Sequence, residues 1–135
     1  MGLINCNSLL SVGVEQFDAE HCQLVAITNQ LHEAIKAGSG AQAVQTTLQQ
    51  LSEFAARHFQ SEEQLLEQHG FPHLAEHQRA HQEILDRLAQ FQIEYQDTVQ
   101  PMQHSMMQFL LDWLTGHTKT VDKQYGPFLN SKGVY

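Results

Sequence analysis

Basic residues are scarce in this chain. Seven Lys and Arg stand against 15 Asp and Glu, a formal net charge of -8 over 135 residues. Such a surface repels phosphates, which excludes nucleic acid as a partner and disfavours an anionic membrane. Long apolar runs are missing too. No stretch reaches the ~18 apolar residues a spanning helix needs, and the N-terminus lacks the basic-then-apolar pattern of a signal peptide. Strand signals are absent, with neither an alternating β-branched run nor an Asn-Gly turn. Cysteine is rare: Cys6 and Cys22 form neither a CxxC pair nor a dense framework. Free thiols in a reducing compartment are therefore expected, and the cytoplasm is the expected location.

What the chain does have is histidine, nine in all. It also has a clear helical rhythm. Four long segments are separated by Gly38-Ser39-Gly40, Gly70-Phe71-Pro72 and the stretch Val99-Gln100-Pro101, the Gly-then-Pro punctuation of helix ends and starts. Within the segments, apolar residues recur at steps of three and four. The stripes run Phe17, His21, Leu24, Thr28, Leu31, Ile35; then Val44, Leu48, Leu51, Ala55, His58, Glu62, Leu65, His69; then Leu74, His77, His81, Ile84, Leu88, Phe91, Tyr95; then Met106, Leu110, Trp113, His117. The pattern predicts one all-α domain over residues 1–135, an antiparallel up-down-up-down four-helix bundle with an N-terminal arm. Its expected parts are an arm over 1–13, helices over about 15–37, 41–69, 72–96 and 101–122, and a short C-terminal tail. Leu3, Ile4, Leu9 and Leu10 make the arm apolar enough to pack along the bundle.

The stripes also sort the histidines. His21, His58, His77, His81 and His117 fall on seam positions, His69 ends its stripe, and His32, His73 and His104 lie off the seams. Glu62 follows His58 by four, and Asp122 follows His117 by five. Burying such groups without partners costs roughly 1–3 kcal/mol each. A single histidine on an apolar face is ordinarily a hydrogen-bonded core residue, but donors on the inner faces of four helices call for metal. Residues four apart share a helix face, with Cβ atoms about 5–6 Å apart, so His77 with His81 can hold one ion. The step of five from His117 to Asp122 does not fit a regular α-helix, which predicts that the helix loosens there, by a π-type bulge or by ending. Seven donors exceed what one tetrahedral zinc uses and suit two six-coordinate ions sharing carboxylates. Ligand type alone leaves iron, zinc, copper and nickel open.

These residues resemble the hemerythrin family, and most closely its single-domain bacterial members. The matching text is Val12-Gly13-Val14 with Asp18-x-x-His21, His58-Phe59-x-x-Glu62-Glu63, Gly70-Phe71-Pro72 before His77-x-x-x-His81, and Trp113-Leu114-x-x-His117-x-x-x-x-Asp122-Lys123. The resemblance implies a non-haem di-iron centre with an oxo or hydroxo bridge that binds dioxygen for transport, storage or delivery. It places His77, His81 and His117 on one iron and His21 and His58 on the other, which keeps an open position. Glu62 and Asp122 would bridge. The donor count agrees, because five neutral and two anionic ligands favour Fe(II), and hence reversible holding of oxygen over its activation. The expected role is that of a carrier and not an enzyme, with dioxygen as ligand. Sensing, peroxide or nitric oxide chemistry, and iron handling remain the alternatives. Glu63 is read as a solvated carboxylate pointing away from the site.

By position, Leu24, Phe59, Trp113, Leu114 and Thr118 would wall the oxygen pocket, although each apolar one also suits plain core packing. Two positions depart from the family. Ser8-Leu9-Leu10 stands where the arm often has Trp, and Thr118 where an aliphatic residue often follows the fourth-helix histidine. A hydroxyl at Thr118 would admit water to the pocket. Thr118→Ile is accordingly expected to slow autoxidation of the oxygenated, iron-loaded protein. An unchanged rate of decay, followed in the visible spectrum, removes Thr118 from the pocket.

Overall fold

A computed structural model describes residues 12–38, 41–94, 103–116 and 124–135, the side chains at 41 and 103–105 excepted. Five helices are present among them: α1 (Glu15–Lys36), α2 (Ala41–Gln68), α3 (Leu74–Glu94), α4 (Gln103–Asp112) and α5 (Tyr125–Ser131). The protein is an all-α bundle, with no strand among the described residues. Successive long helices run antiparallel. Gln16 near the start of α1 donates to Ser61 near the end of α2, and Gln45 near the start of α2 donates to the Gln92 carbonyl near the end of α3. No described helix is long and apolar enough to cross a membrane.

Local chemistry sets the helix ends. Asp18 Oδ1 accepts the Val12 backbone N–H at 2.7 Å and fixes the path of the chain into α1. The end of α2 is a Schellman turn. Gly70 takes a φ of +71°, Phe71 N–H donates to the Leu66 carbonyl at 3.0 Å, and Gly70 N–H donates to the Glu67 carbonyl at 3.2 Å. Leu66 and Phe71 meet across that turn and belong to one apolar cluster. This explains a departure from the heptad reading. Leu66 is fully buried, while Leu65, the stripe residue, is only half-buried. The turn draws the last positions of α2 off the straight seam.

Two apolar cores result. The larger one joins α1 to α4 around Leu24, Leu31, Leu48, Leu51, Leu88, Phe91, Met106 and Leu110. The smaller one joins Val12, Val14, Phe17, Leu66 and Phe71 to Tyr125 and Leu129 of α5. The stretch expected as a short C-terminal tail is thus a helix that packs on the smaller core. The sequence signals missed it because its seven residues span too few turns to show a period. Past α4, residues 113–116 take π-helical geometry, and Thr115 Oγ1 donates to the Leu111 carbonyl at 2.6 Å, a bond that bends helices. This loosening lies just ahead of His117. His117, Thr118 and Asp122, with the arm residues 1–11, fall outside the described residues.

The free-thiol expectation is corrected at Cys22, which is disulfide-bonded. The chain's other cysteine is Cys6, outside the described residues. Helical periodicity does not record whether a cysteine is paired. The disulfide also removes the thiol-based argument for a reducing compartment.

The close approach of α5 to the chain at Val12 sets up a test. Gly126 is buried, and a Cβ built on it would overlap the Val12 carbonyl. In an open helix Gly→Ala gains up to about 1 kcal/mol. Here Gly126→Ala is expected to cost about 1–3 kcal/mol by overpacking, lowering the thermal midpoint by several degrees. A raised midpoint in calorimetry contradicts the contact.

Candidate metal centre

Glu62 stands between the two cores with its side chain fully buried. Each of its oxygens faces two imidazoles. Oε2 lies 3.1 Å from His21 Nε2 and 2.8 Å from His58 Nε2. Oε1 lies 3.1 Å from His77 Nε2 and 3.3 Å from His81 Nε2. The donors therefore form two groups, His21–His58–Glu62 and Glu62–His77–His81, each with its ligand atoms within 4.8 Å of one another. With bonds of roughly 2.1 Å, neighbouring corners of an octahedron sit about 3.0 Å apart, close to the four separations here. The donor set fits a pair of ions bridged by one carboxylate.

The helical rhythm accounts for the convergence. His21 on α1, His58 and Glu62 on α2, and His77 and His81 on α3 are all buried on facing seams. His73 is exposed, its side chain 57% accessible, beside Glu76 at 3.7 Å. Aromatic rings fix the imidazole planes. Phe59 stacks on His81 with ring centroids 3.9 Å apart and planes 8° apart. Phe17 lies edge-on to His58, and Tyr125 edge-on to His77. Of the expected pocket residues, Leu24, Phe59, Trp113 and Leu114 are buried in the larger core, with Trp113 edge-on to Phe59.

Three polar side chains complete the site that the seam reading did not assign to it. Glu20 Oε1 accepts from His58 Nδ1 at 2.6 Å. Glu63 Oε2 accepts from His81 Nδ1 at 2.7 Å, which corrects its reading as a solvated carboxylate. Tyr125 donates its hydroxyl to Glu62 Oε2 at 2.9 Å. For the two glutamates a signal was available. Glu20 precedes His21 and Glu63 follows Glu62, and one residue along an α-helix turns the side chain by about 100°, from the seam toward the adjacent helix. Tyr125 carried no such signal, because it lies beyond the periodic segments.

Charge in the cluster follows from burial opposed by pairing. Burial pushes His58 down, but the Glu62 charge and the hydrogen bonds to Glu20 and Glu62 overcome it and raise the imidazole from 6.5 to about 8. Burial pushes Glu62 up, but the His58 charge and bonds from His21, His58 and His77 hold it well below the usual carboxylate range. Both effects favour a charged carboxylate facing a cationic His58.

An all-α bundle whose inner faces converge on two imidazole groups sharing one glutamate defines a metal-binding helical bundle with a dinuclear site. The model for the hemerythrin HHE cation binding domain matches residues 12–129. The chain belongs to the hemerythrin family, and its cofactor is a pair of irons. It is similar to the bacteriohemerythrin of Stenotrophomonas maltophilia (strain R551-3), with 27% identity over 93% of this chain and 80% of that one. It is 27% identical to the bacteriohemerythrin of Methylococcus capsulatus (Bath) over 84% of this chain and 86% of that one. To the myohemerythrin of Sipunculus nudus it is 32% identical over 58% of this chain and 59% of that one. The crystal structure of wild-type hemerythrin superposes with a TM-score of 0.85 at 25% identity, covering 93% of this chain and 96% of that one.

The His58–Glu62 pair gives the metal-free protein a defined pH response. His58 is raised above its ordinary 6.5 to about 8, so its contribution is full below pH 6.5 and lost as pH rises through about 8. Glu62 is lowered below its ordinary 4.5, so its contribution is full above that value and lost as pH falls. Stability without metal should therefore be greatest between 4.5 and 6.5. It should fall by on the order of 2 kcal/mol as pH rises past about 8. Thermal unfolding of chelator-treated protein across this window checks the sign. A flat or rising midpoint above pH 6.5 refutes it.

Proposed function

We propose that this chain binds dioxygen reversibly at its pair of irons and serves as a carrier, for transport, storage or delivery, consuming no substrate. The observation that carries the reading is the two-by-two arrangement around Glu62: one buried carboxylate with two imidazole Nε2 atoms at each oxygen. In this reading His21 and His58 would hold one iron, His77 and His81 with His117 would hold the other, and Glu62 and Asp122 would be shared between them. The whole chain then acts as one hemerythrin-type domain. When bound, such a pair would supply the two electrons that reversible oxygen binding uses.

The chain's own residues supply the rest. Neutral imidazoles outnumber carboxylates, which holds the site in the reduced state that oxygen binding requires. Leu24, Phe59, Trp113 and Leu114 present apolar surface and keep water away. Thr118 is assigned to the same wall from its position in the sequence. Tyr125 donates to Glu62 Oε2 and holds that carboxylate in place from outside the imidazole ring set.

Iron-loaded, reduced protein exposed to oxygen tests this reading. The expected result is two irons per chain and a visible absorption band that appears with oxygen and vanishes when oxygen is removed. Direct bleaching to the diferric state with no reversible band overturns it in favour of peroxide or nitric oxide chemistry or iron handling. One zinc per chain, or no metal, overturns the di-iron assignment itself.

A further inference from the structure

Two of the four imidazoles around Glu62 are held from behind by carboxylates, and the arrangement repeats from helix to helix. On α1, Glu20 sits next to His21 and reaches across to His58 on α2. On α2, Glu63 sits next to Glu62 and reaches across to His81 on α3. In each case a candidate ligand and a grip on the next helix's ligand are neighbours in sequence. The two grips also divide between the two donor groups, His58 belonging to one and His81 to the other. Both are short, at 2.6 and 2.7 Å, the length of charge-assisted bonds.

An ionised carboxylate can only accept, so each bond requires the proton on Nδ1. That leaves Nε2, the atom facing Glu62, as the nitrogen available to a metal. The bond also fixes rotation of the ring and makes the imidazole a stronger donor. His81 is held twice, by Glu63 at its outer edge and by Phe59 stacked on its face. The Glu63 side chain is 25% accessible and lines an open groove of about 360 Å³ between α2 and α3. The Glu20 side chain is 23% accessible. Neither is buried for packing, so replacing either leaves both cores intact.

We propose that Glu20 and Glu63 are paired positioning residues, each setting the affinity of one ion: Glu20 that of the His21–His58 group, Glu63 that of the His77–His81 group. This rests on the dinuclear reading above, and the test separates the two. Metal-free protein is titrated with Co(II), read by calorimetry and by the visible bands that report coordination geometry. Wild type is expected to bind two ions. Glu20→Ala is expected to weaken one binding step, and Glu63→Ala the other, each by about 10- to 100-fold. Gln at either position, which still accepts from Nδ1–H, should restore the cobalt spectrum and part of the lost affinity. Glu67→Ala, an exposed carboxylate lining the same groove, should match wild type. The proposal is overturned if both Ala variants bind two ions with wild-type constants. It is equally overturned if each weakens both steps alike and lowers the metal-free midpoint, the signature of a merely structural role. If wild type binds no cobalt pair, the dinuclear reading fails and this proposal fails with it.

Discussion

The structure depends on one buried carboxylate. Glu62 lies in a water-excluded layer, where an unpaired charge costs several kcal/mol. It is tolerated because four imidazole nitrogens and the Tyr125 hydroxyl converge on its two oxygens. That requirement fixes much else. Three helices must bring His21, His58, His77 and His81 to the same height along the bundle, since their Nε2 atoms can meet one carboxylate only there. The register of α1 against α2, and of α2 against α3, is therefore set by polar contacts as well as by apolar packing. Hydrophobic stripes alone tolerate sliding by a turn.

The same constraint explains why the apolar interior is divided. A single continuous core would leave no layer for polar groups. Here the large core and the Phe17–Leu66–Phe71–Tyr125 cluster lie on either side of the imidazoles, and aromatic edges from both touch them. Phe59 belongs to the large core and stacks on His81, while Phe17 and Tyr125 belong to the small one and meet His58 and His77. Helix α5 is a structural lid and, through Tyr125, also a polar partner of the site. The close contact of Gly126 with Val12 brings that helix tight against the start of α1. Packing at the end of the bundle and polarity at its centre are one problem with one solution.

This division shows what periodicity can and cannot carry. The steps of three and four placed His21, His58, Glu62, His77 and His81 on inner faces and His73 outside, because helical geometry maps spacing onto direction. The same mapping misjudged Glu63. One position off the seam of an isolated helix points to solvent, but in a bundle it points at the adjacent helix, where His81 waits. Leu65 and Leu66 exchanged roles for a related reason, since a Schellman turn ends the regular geometry that the stripe assumes. Tyr125 depends on where the C-terminal helix packs against the bundle. Such long-range closure leaves no local mark in the sequence.

The donor geometry suits a proton and a cation alike. His58 has carboxylates at both ring nitrogens, Glu20 at 2.6 Å and Glu62 at 2.8 Å. An imidazolium satisfies both at once, which is why its pKa rises despite burial. A proton on Nε2 thus occupies the direction an ion would take, and it balances part of the Glu62 charge while no ion is there. Metal and proton compete for one lone pair, so binding an ion must release the proton. The outer bond to Glu20 survives that exchange, because Nδ1 keeps its hydrogen in both forms. The ring need not turn when the ion arrives. Geometry that stabilises the empty protein by charge pairing is, unaltered, the geometry that presents donors to a metal. This is preorganisation obtained without leaving a buried carboxylate unpaired.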